Sequence, residues 1–107
     1  MADLKQKRCV ACDAQTPRLS VEEVEALMEQ APGWELEENK LSRRFKFRDF
    51  KEAMAFVNRV ADIAEEEGHH PDIHIFWNRV QLDLTTHAIK GLSENDFIMA
   101  AKISDLL

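Results

Sequence analysis

All four histidines of the 107-residue chain fall in one stretch, as His69, His70, His74 and His87, with the first two adjacent and followed by Pro71. An unperturbed imidazole titrates at about 6.5, so it can donate or accept a proton near neutral pH, and it can also ligate a metal. Imidazoles brought to one place could act as an acid and a base on one substrate, or as a ligand set. Which of these is open to them depends on where the intervening chain puts each ring.

That chain reads as a hairpin. Ile73, Ile75 and Trp77 alternate with Asp72, His74 and Phe76, and beyond Asn78 and Arg79 the positions Val80, Leu82 and Leu84 alternate with Gln81, Asp83 and Thr85. With Asn78 and Arg79 as the turn, Trp77 faces Val80, Ile75 faces Leu82 and Ile73 faces Leu84, which sets one apolar face against the helices. Further out, Pro71 falls opposite Thr86 and His70 opposite His87, although Pro71 ends the ladder before His70. Opposed residues have Cβ atoms roughly 4.5–5.5 Å apart, so His69, His70 and His87 are expected to converge at the open end. His74 lies mid-strand opposite Asp83 on the polar face, where a solvated ion pair accounts for it. The spacing suits paired acid and base work and metal ligation alike.

The remaining elements position this hairpin. Ser20 and Glu23 make a capping box before Val21, Val24, Leu27, Met28 and Ala31, a helical run that Pro32 and Gly33 stop. Trp34 and Leu36, then Leu41, Arg43, Phe45 and Phe47, follow at period two as a first hairpin. Asp49, with Glu52, caps a second helix whose stripe is Phe50, Ala53, Met54, Val57, Val60, Ala61 and Ala64, and Gly68 ends it. Phe56 and Ile63 widen that stripe, which fits either deep burial in the same domain or cover by another subunit. A last helix follows Gly91, with Ser93 as cap and Glu94 and Asp96 in the first turn. The order α-β-β-α-β-β-α predicts an α+β fold, a four-stranded antiparallel sheet with three helices on one face, as a single domain over 1–107. Residues 1–18 read as a loosely held leader.

Composition narrows the function classes. Hydrophobic residues make up 45% of the chain, as in an ordinary globular domain, and the net charge of −6 disfavours direct contact with nucleic-acid phosphates. No apolar window of about 18 residues and no signal core are present, so a cytoplasmic protein without membrane association is expected. Cys9 and Cys12 form a CVAC spacing, but in a polar, turn-rich leader they read as reduced thiols rather than a redox pair or half of a zinc site.

GHHP at 68–71, WNRV at 77–80, LTTH at 84–87 and GLSENDF at 91–97, preceded by FKFRDFKEAMAFVNRVA, resemble the pterin-4a-carbinolamine dehydratases from about Trp34 to Ile103. The resemblance implies the same four-stranded sheet with three helices. It also implies loss of water from a 4a-hydroxytetrahydropterin, with no metal and no cofactor beyond the pterin substrate itself. His69, His70 and His87 correspond to the family's active-site histidines, Pro71 and Thr86 fall in the segments lining the pterin, and Glu65 matches an acidic position near the site. A homodimer or homotetramer and an aromatic amino acid hydroxylase as metabolic partner are implied as well. So is an alternative, a non-catalytic dimerisation or regulatory protein working through the second-helix surface. A third reading, a metal-dependent hydrolase using the histidines with Asp72 or Asp83, lacks ligand spacing. Ile73 stands where many members carry an aromatic residue, and Ala88 and Ile89 lie where relatives vary, so substrate contacts at those positions are not carried over.

Overall fold

The structure is a computed structural model that describes residues 4–10 and 15–107. Its main elements are α1 (Val21–Met28), β1 (Glu35–Glu37), β2 (Lys40–Lys46), α2 (Phe50–Glu67), β3 (Asp72–Phe76), β4 (Arg79–Leu84) and α3 (Glu94–Ser104), with 3-10 turns at Leu4–Gln6 and His87–Ile89. The strands form one antiparallel sheet in the order β1-β2-β4-β3. The α+β architecture therefore matches the expected alternation, apart from the two short turns.

Local signals start the helices. The Ser20 hydroxyl accepts the Glu23 N–H at 3.1 Å while the Glu23 carboxylate accepts the Ser20 N–H at 2.9 Å. Asp49 accepts the Glu52 N–H at 2.9 Å, and Glu52 reaches one residue further back, to the Arg48 N–H. Gly68 closes α2 at φ 69°, a left-handed conformation in which its N–H reaches the Ala64 carbonyl.

The core lies between the helices and one face of the two central strands. Leu41 and Phe45 of β2 and Val80, Leu82 and Leu84 of β4 are all buried, as are Phe97, Ile98, Met99 and Ile103 of α3. Phe56 of α2 sits 4.7 Å from Phe45 and 5.0 Å from Phe47 by ring centroids, and Trp34 meets Phe45 edge-on. Phe56 is thus consumed by its own sheet at 1% exposure, and no other subunit is needed to cover it; Ile63 is half-buried against the same core.

Three expectations change. The second hairpin turns at Trp77 and Asn78, so Ile75 pairs with Val80, Ile73 with Leu82 and Phe76 with Arg79, two positions from the predicted register. The cause is Asn78, whose carbonyl accepts the Phe47 N–H at 2.8 Å and whose side-chain amide donates to the Phe47 carbonyl at 3.0 Å, with Trp77 at φ 53°. A shift of two keeps Ile73 and Ile75 on the face of Val80 and Leu82, but Trp77, expected opposite Val80 on that face, becomes a turn residue and is exposed. Ile73 and Ile75 remain over a third exposed, however, because β3 is an edge strand beside the strand on which α2 and α3 pack. Finally, residues 4–10 are held closely: Leu4 is in the core, and Cys9 and Val10 hydrogen-bond to Glu67 and Asn95. Cys9 is half-buried, its Sγ–H reaching the Asn95 carbonyl at 3.7 Å, and Cys12 lies outside the described residues.

Candidate active site

Each histidine takes its place from the element that ends beside it. The left-handed turn at Gly68 sends the chain back from α2, burying His69 at 8% exposure and leaving His70 outside. His69 Nε2 lies 2.6 Å from Asp96 Oδ1 in the first turn of α3. The other carboxylate oxygen, Oδ2, accepts the Thr86 hydroxyl at 2.9 Å and the Ser93 N–H at 3.0 Å. Thr86 and Ser93 also share a hydroxyl–hydroxyl bond of 2.7 Å. Asp96 has no exposure at all. A buried carboxylate accepting from a backbone N–H, a hydroxyl and an imidazole is well satisfied, as burial of charge demands.

This carboxylate decides the His69 tautomer. An ionised carboxylate only accepts, so Nε2 carries a hydrogen and Nδ1 is left to act, as acceptor in the neutral ring and donor in the charged one. His70 has the same arrangement at the surface: its Nε2 lies 2.5 Å from Glu65 Oε2, with both side chains more than half exposed. Glu65 therefore orients His70 across the turn rather than His69. His87 stands exposed at the start of the 3-10 turn, next to the buried Thr86, whose N–H and carbonyl pair with Gly91. Pro71 is buried immediately after the histidine pair.

The predicted opposition of His70 and His87 across a regular ladder does not occur, because the β3–β4 pairing ends at Asp72 and Asp83. What joins the two segments is Asp96, which holds His69 from one and Thr86 from the other. From sequence, Asp96 is expected only as a dipole-favoured acid in a first helical turn. The spacing Ser93-x-x-Asp96, an acid at the capping-box position, was the signal that it could reach back.

His74 is turned to the other face of the sheet, where its Nε2 reaches Asp83 diagonally at 3.2 Å although its register partner is Gln81. Burial pushes the Asp83 carboxyl up. Hydrogen bonds from Ser42 and Gln81 and the charges of Lys40 and His74 outweigh that and hold it below its ordinary value. Among the described residues, no three of His, Cys, Asp and Glu gather into a metal-holding group. Nor is any helix long and apolar enough to cross a membrane. A cleft of about 300 Å³ between β2 and the hairpin tip, lined by Arg44, Lys46, Phe76 and Arg79 among others, contains none of the histidines.

The family model described as pterin 4 alpha carbinolamine dehydratase matches residues 17–106. A Rubrobacter xylanophilus protein, provisionally named as such a dehydratase, is 50% identical over 107 residues, covering 99% of this chain and all of the relative. The Arabidopsis thaliana protein named pterin-4-alpha-carbinolamine dehydratase 2, mitochondrial, is 46% identical over 112 residues, covering 99% of this chain and 60% of its own length. Among solved structures, a Brucella melitensis protein described as a transcriptional coactivator/pterin dehydratase superposes with a TM-score of 0.80. It has 34% identity, over 84% of this chain and 98% of that one. With the match spanning both hairpins, all three helices and every histidine, the chain belongs to the pterin 4 alpha carbinolamine dehydratase family.

Proposed function

We propose that the protein is a hydro-lyase that removes water from a 4a-hydroxytetrahydropterin, giving the quinonoid dihydropterin, with histidines as general acid and base. The C4a–O bond breaks with its electron pair on oxygen, which takes a proton and leaves as water. N5–H loses its proton, and the electrons of that bond become the C4a=N5 double bond. One proton is given and one taken, so the imidazoles as a set end each turnover as they began. Groups that titrate near neutrality suit both halves of this exchange.

The observation that carries the reading is the Asp96 carboxylate, which binds His69 at 2.6 Å and Thr86 at 2.9 Å. It fixes the ring that presents Nδ1 and ties the segment carrying His87 to it. In this reading Glu65 orients His70, Pro71 and Thr86 line the pterin, and the pterin is the substrate with no further cofactor. The product would return to the tetrahydro form by reduction, and its precursor would come from an aromatic amino acid hydroxylase in the cytoplasm. The protein would work as a homodimer or homotetramer.

The test is stopped-flow dehydration of enzymatically generated 4a-hydroxytetrahydropterin by wild type, His70→Ala and His87→Ala, each with and without chelator. Acceleration by the wild type, unaffected by chelator and reduced by about 10²-fold or more in the variants, is expected. A wild-type rate at background would reject the enzyme reading, and loss of rate only with chelator would put a metal in its place.

A further inference from the structure

Residues 4–10 precede the family-matched region, yet they touch both helix ends that present the buried His69–Asp96 pair. Glu67, the last residue of α2, is 8% exposed, and its carboxylate accepts the Cys9 N–H at 2.8 Å and pairs with Arg8 at 3.0 Å and Lys102 at 3.8 Å. Asn95, in the first turn of α3 and 3% exposed, takes the next residue at both backbone groups. Val10 N–H donates to its Oδ1 at 3.0 Å, and its Nδ2 donates to the Val10 carbonyl at 2.7 Å. Upstream, Leu4 is buried, Lys102 donates to the Lys5 carbonyl at 2.9 Å and Lys7 pairs with Glu94 at 3.0 Å.

The placement in sequence is what matters. Glu67 lies two residues before His69, and Asn95 lies one before Asp96. Residues 8–10 thus span the gap between helix ends that the 2.6 Å imidazole–carboxylate bond must close. A carboxylate at a helix C-terminus opposes the macrodipole, and a buried one needs partners, so Glu67 is not explained by the stability of α2 alone. Its partners come from the leader and from α3.

We infer that residues 4–10 form a positioning strap that sets the separation of the α2 end and the α3 start, and through it the orientation of His69 on Asp96. Arg8, Glu67 and Asn95 are its positioning residues, acting on the reacting groups only through that pair. Proton transfer depends steeply on such geometry, since a misplacement of about 1 Å can lower a rate by roughly 10²-fold.

This inference deepens the dehydratase reading and rests on it, so the test carries a readout independent of activity. Full-length wild type, Arg8→Ala, Asn95→Ala, the double variant and the conservative Asn95→Asp are compared. The measurements are kcat and KM for pterin dehydration and the imidazole ¹⁵N–¹H NMR signals of His69, taken well below each variant's Tm. Asn95→Ala is expected to lower kcat by about 5- to 20-fold with KM within about twofold. It should also shift the His69 Nε2–H signal and speed its exchange with water, with Asn95→Asp, which keeps the acceptor for the Val10 N–H but has no donor for the Val10 carbonyl, recovering only part of each. Arg8 is two-thirds exposed, so its variant keeps the fold and gives a milder change of the same kind. A double variant with kcat within twofold of wild type and an unmoved His69 signal would overturn the inference, as would a fall in kcat without any change at His69. An inactive wild type would reject the dehydratase reading, while the His69 signal would still decide whether the strap positions the ring.

Discussion

Asp96 in α3 and His69 at the end of α2 are joined by a bond of 2.6 Å although they lie 27 residues apart, and neither is more than 8% exposed. The carboxylate is the acceptor that selects which imidazole nitrogen is left to work. Asp96→Asn replaces one accepting oxygen by a donating amide, which opposes Nε2–H and favours the other tautomer. The expected outcome is a kcat about 10- to 100-fold lower with KM little changed, by the logic of a buried acid that orients a catalytic imidazole. Steady-state kinetics with NMR of the His69 tautomer checks it; a variant within threefold of wild type would show that the bond has no bearing on turnover.

The Glu65–His70 pair makes the opposite case for stability. Both groups are largely in water, so Glu65→Ala should change the unfolding free energy by less than about 0.5 kcal/mol. Its effect should appear in kcat, because the ring loses the acceptor at 2.5 Å that holds its orientation. Urea unfolding and steady-state kinetics, both at neutral pH, separate the two.

Asp83 gives a prediction in pH. Its pKa is lower folded than unfolded, so between the two values the unfolded chain holds more protons and stability rises with pH. The contribution is complete above the unfolded value of about 3.9 and is lost as pH falls through the lowered folded value. Asp83→Asn should therefore be less stable than wild type near neutrality, and the difference should close below about pH 4. Denaturant titrations across that range measure the gap directly; a gap independent of pH would show that the carboxylate charge is not its source.

Phe56 packs on two aromatic rings of its own core, Phe45 and Phe47, rather than at a partner surface, as its ring distances to them make explicit. Phe56→Ala should cost about 3–5 kcal/mol. Because the lost contacts are within one chain, the cost should be the same at low and high protein concentration in urea melts. A cost that grows with concentration would return Phe56 to an interface.

Sequence reasoning succeeded where causes are local and stopped where they are not. The caps at Ser20 and Asp49, the stop at Gly68 and the in-and-out alternation of the strands follow from neighbours a few residues apart, and the structure has them, Trp77 at the second turn excepted. The register of the second hairpin depends on Asn78 bonding to Phe47, 31 residues away, which no spacing within the hairpin discloses. Likewise Asp96 was visible as a helix-start acid, but its hold on His69 requires the packing of α3 against the α2 end. The polar composition of the leader predicts a loose segment. Two buried side chains elsewhere, Glu67 and Asn95, supply what its own residues lack.

Gly68 has a φ of 69°, and a Cβ built there would meet nothing within 4 Å. Its requirement is therefore one of handedness and not of room. Asparagine, which tolerates the left-handed region, is an admissible substitute at this hinge, whereas a β-branched residue would strain the turn that faces His70 toward Glu65. Drift at position 68 among descendants of this chain would thus be governed by backbone chirality, with side-chain bulk left unconstrained.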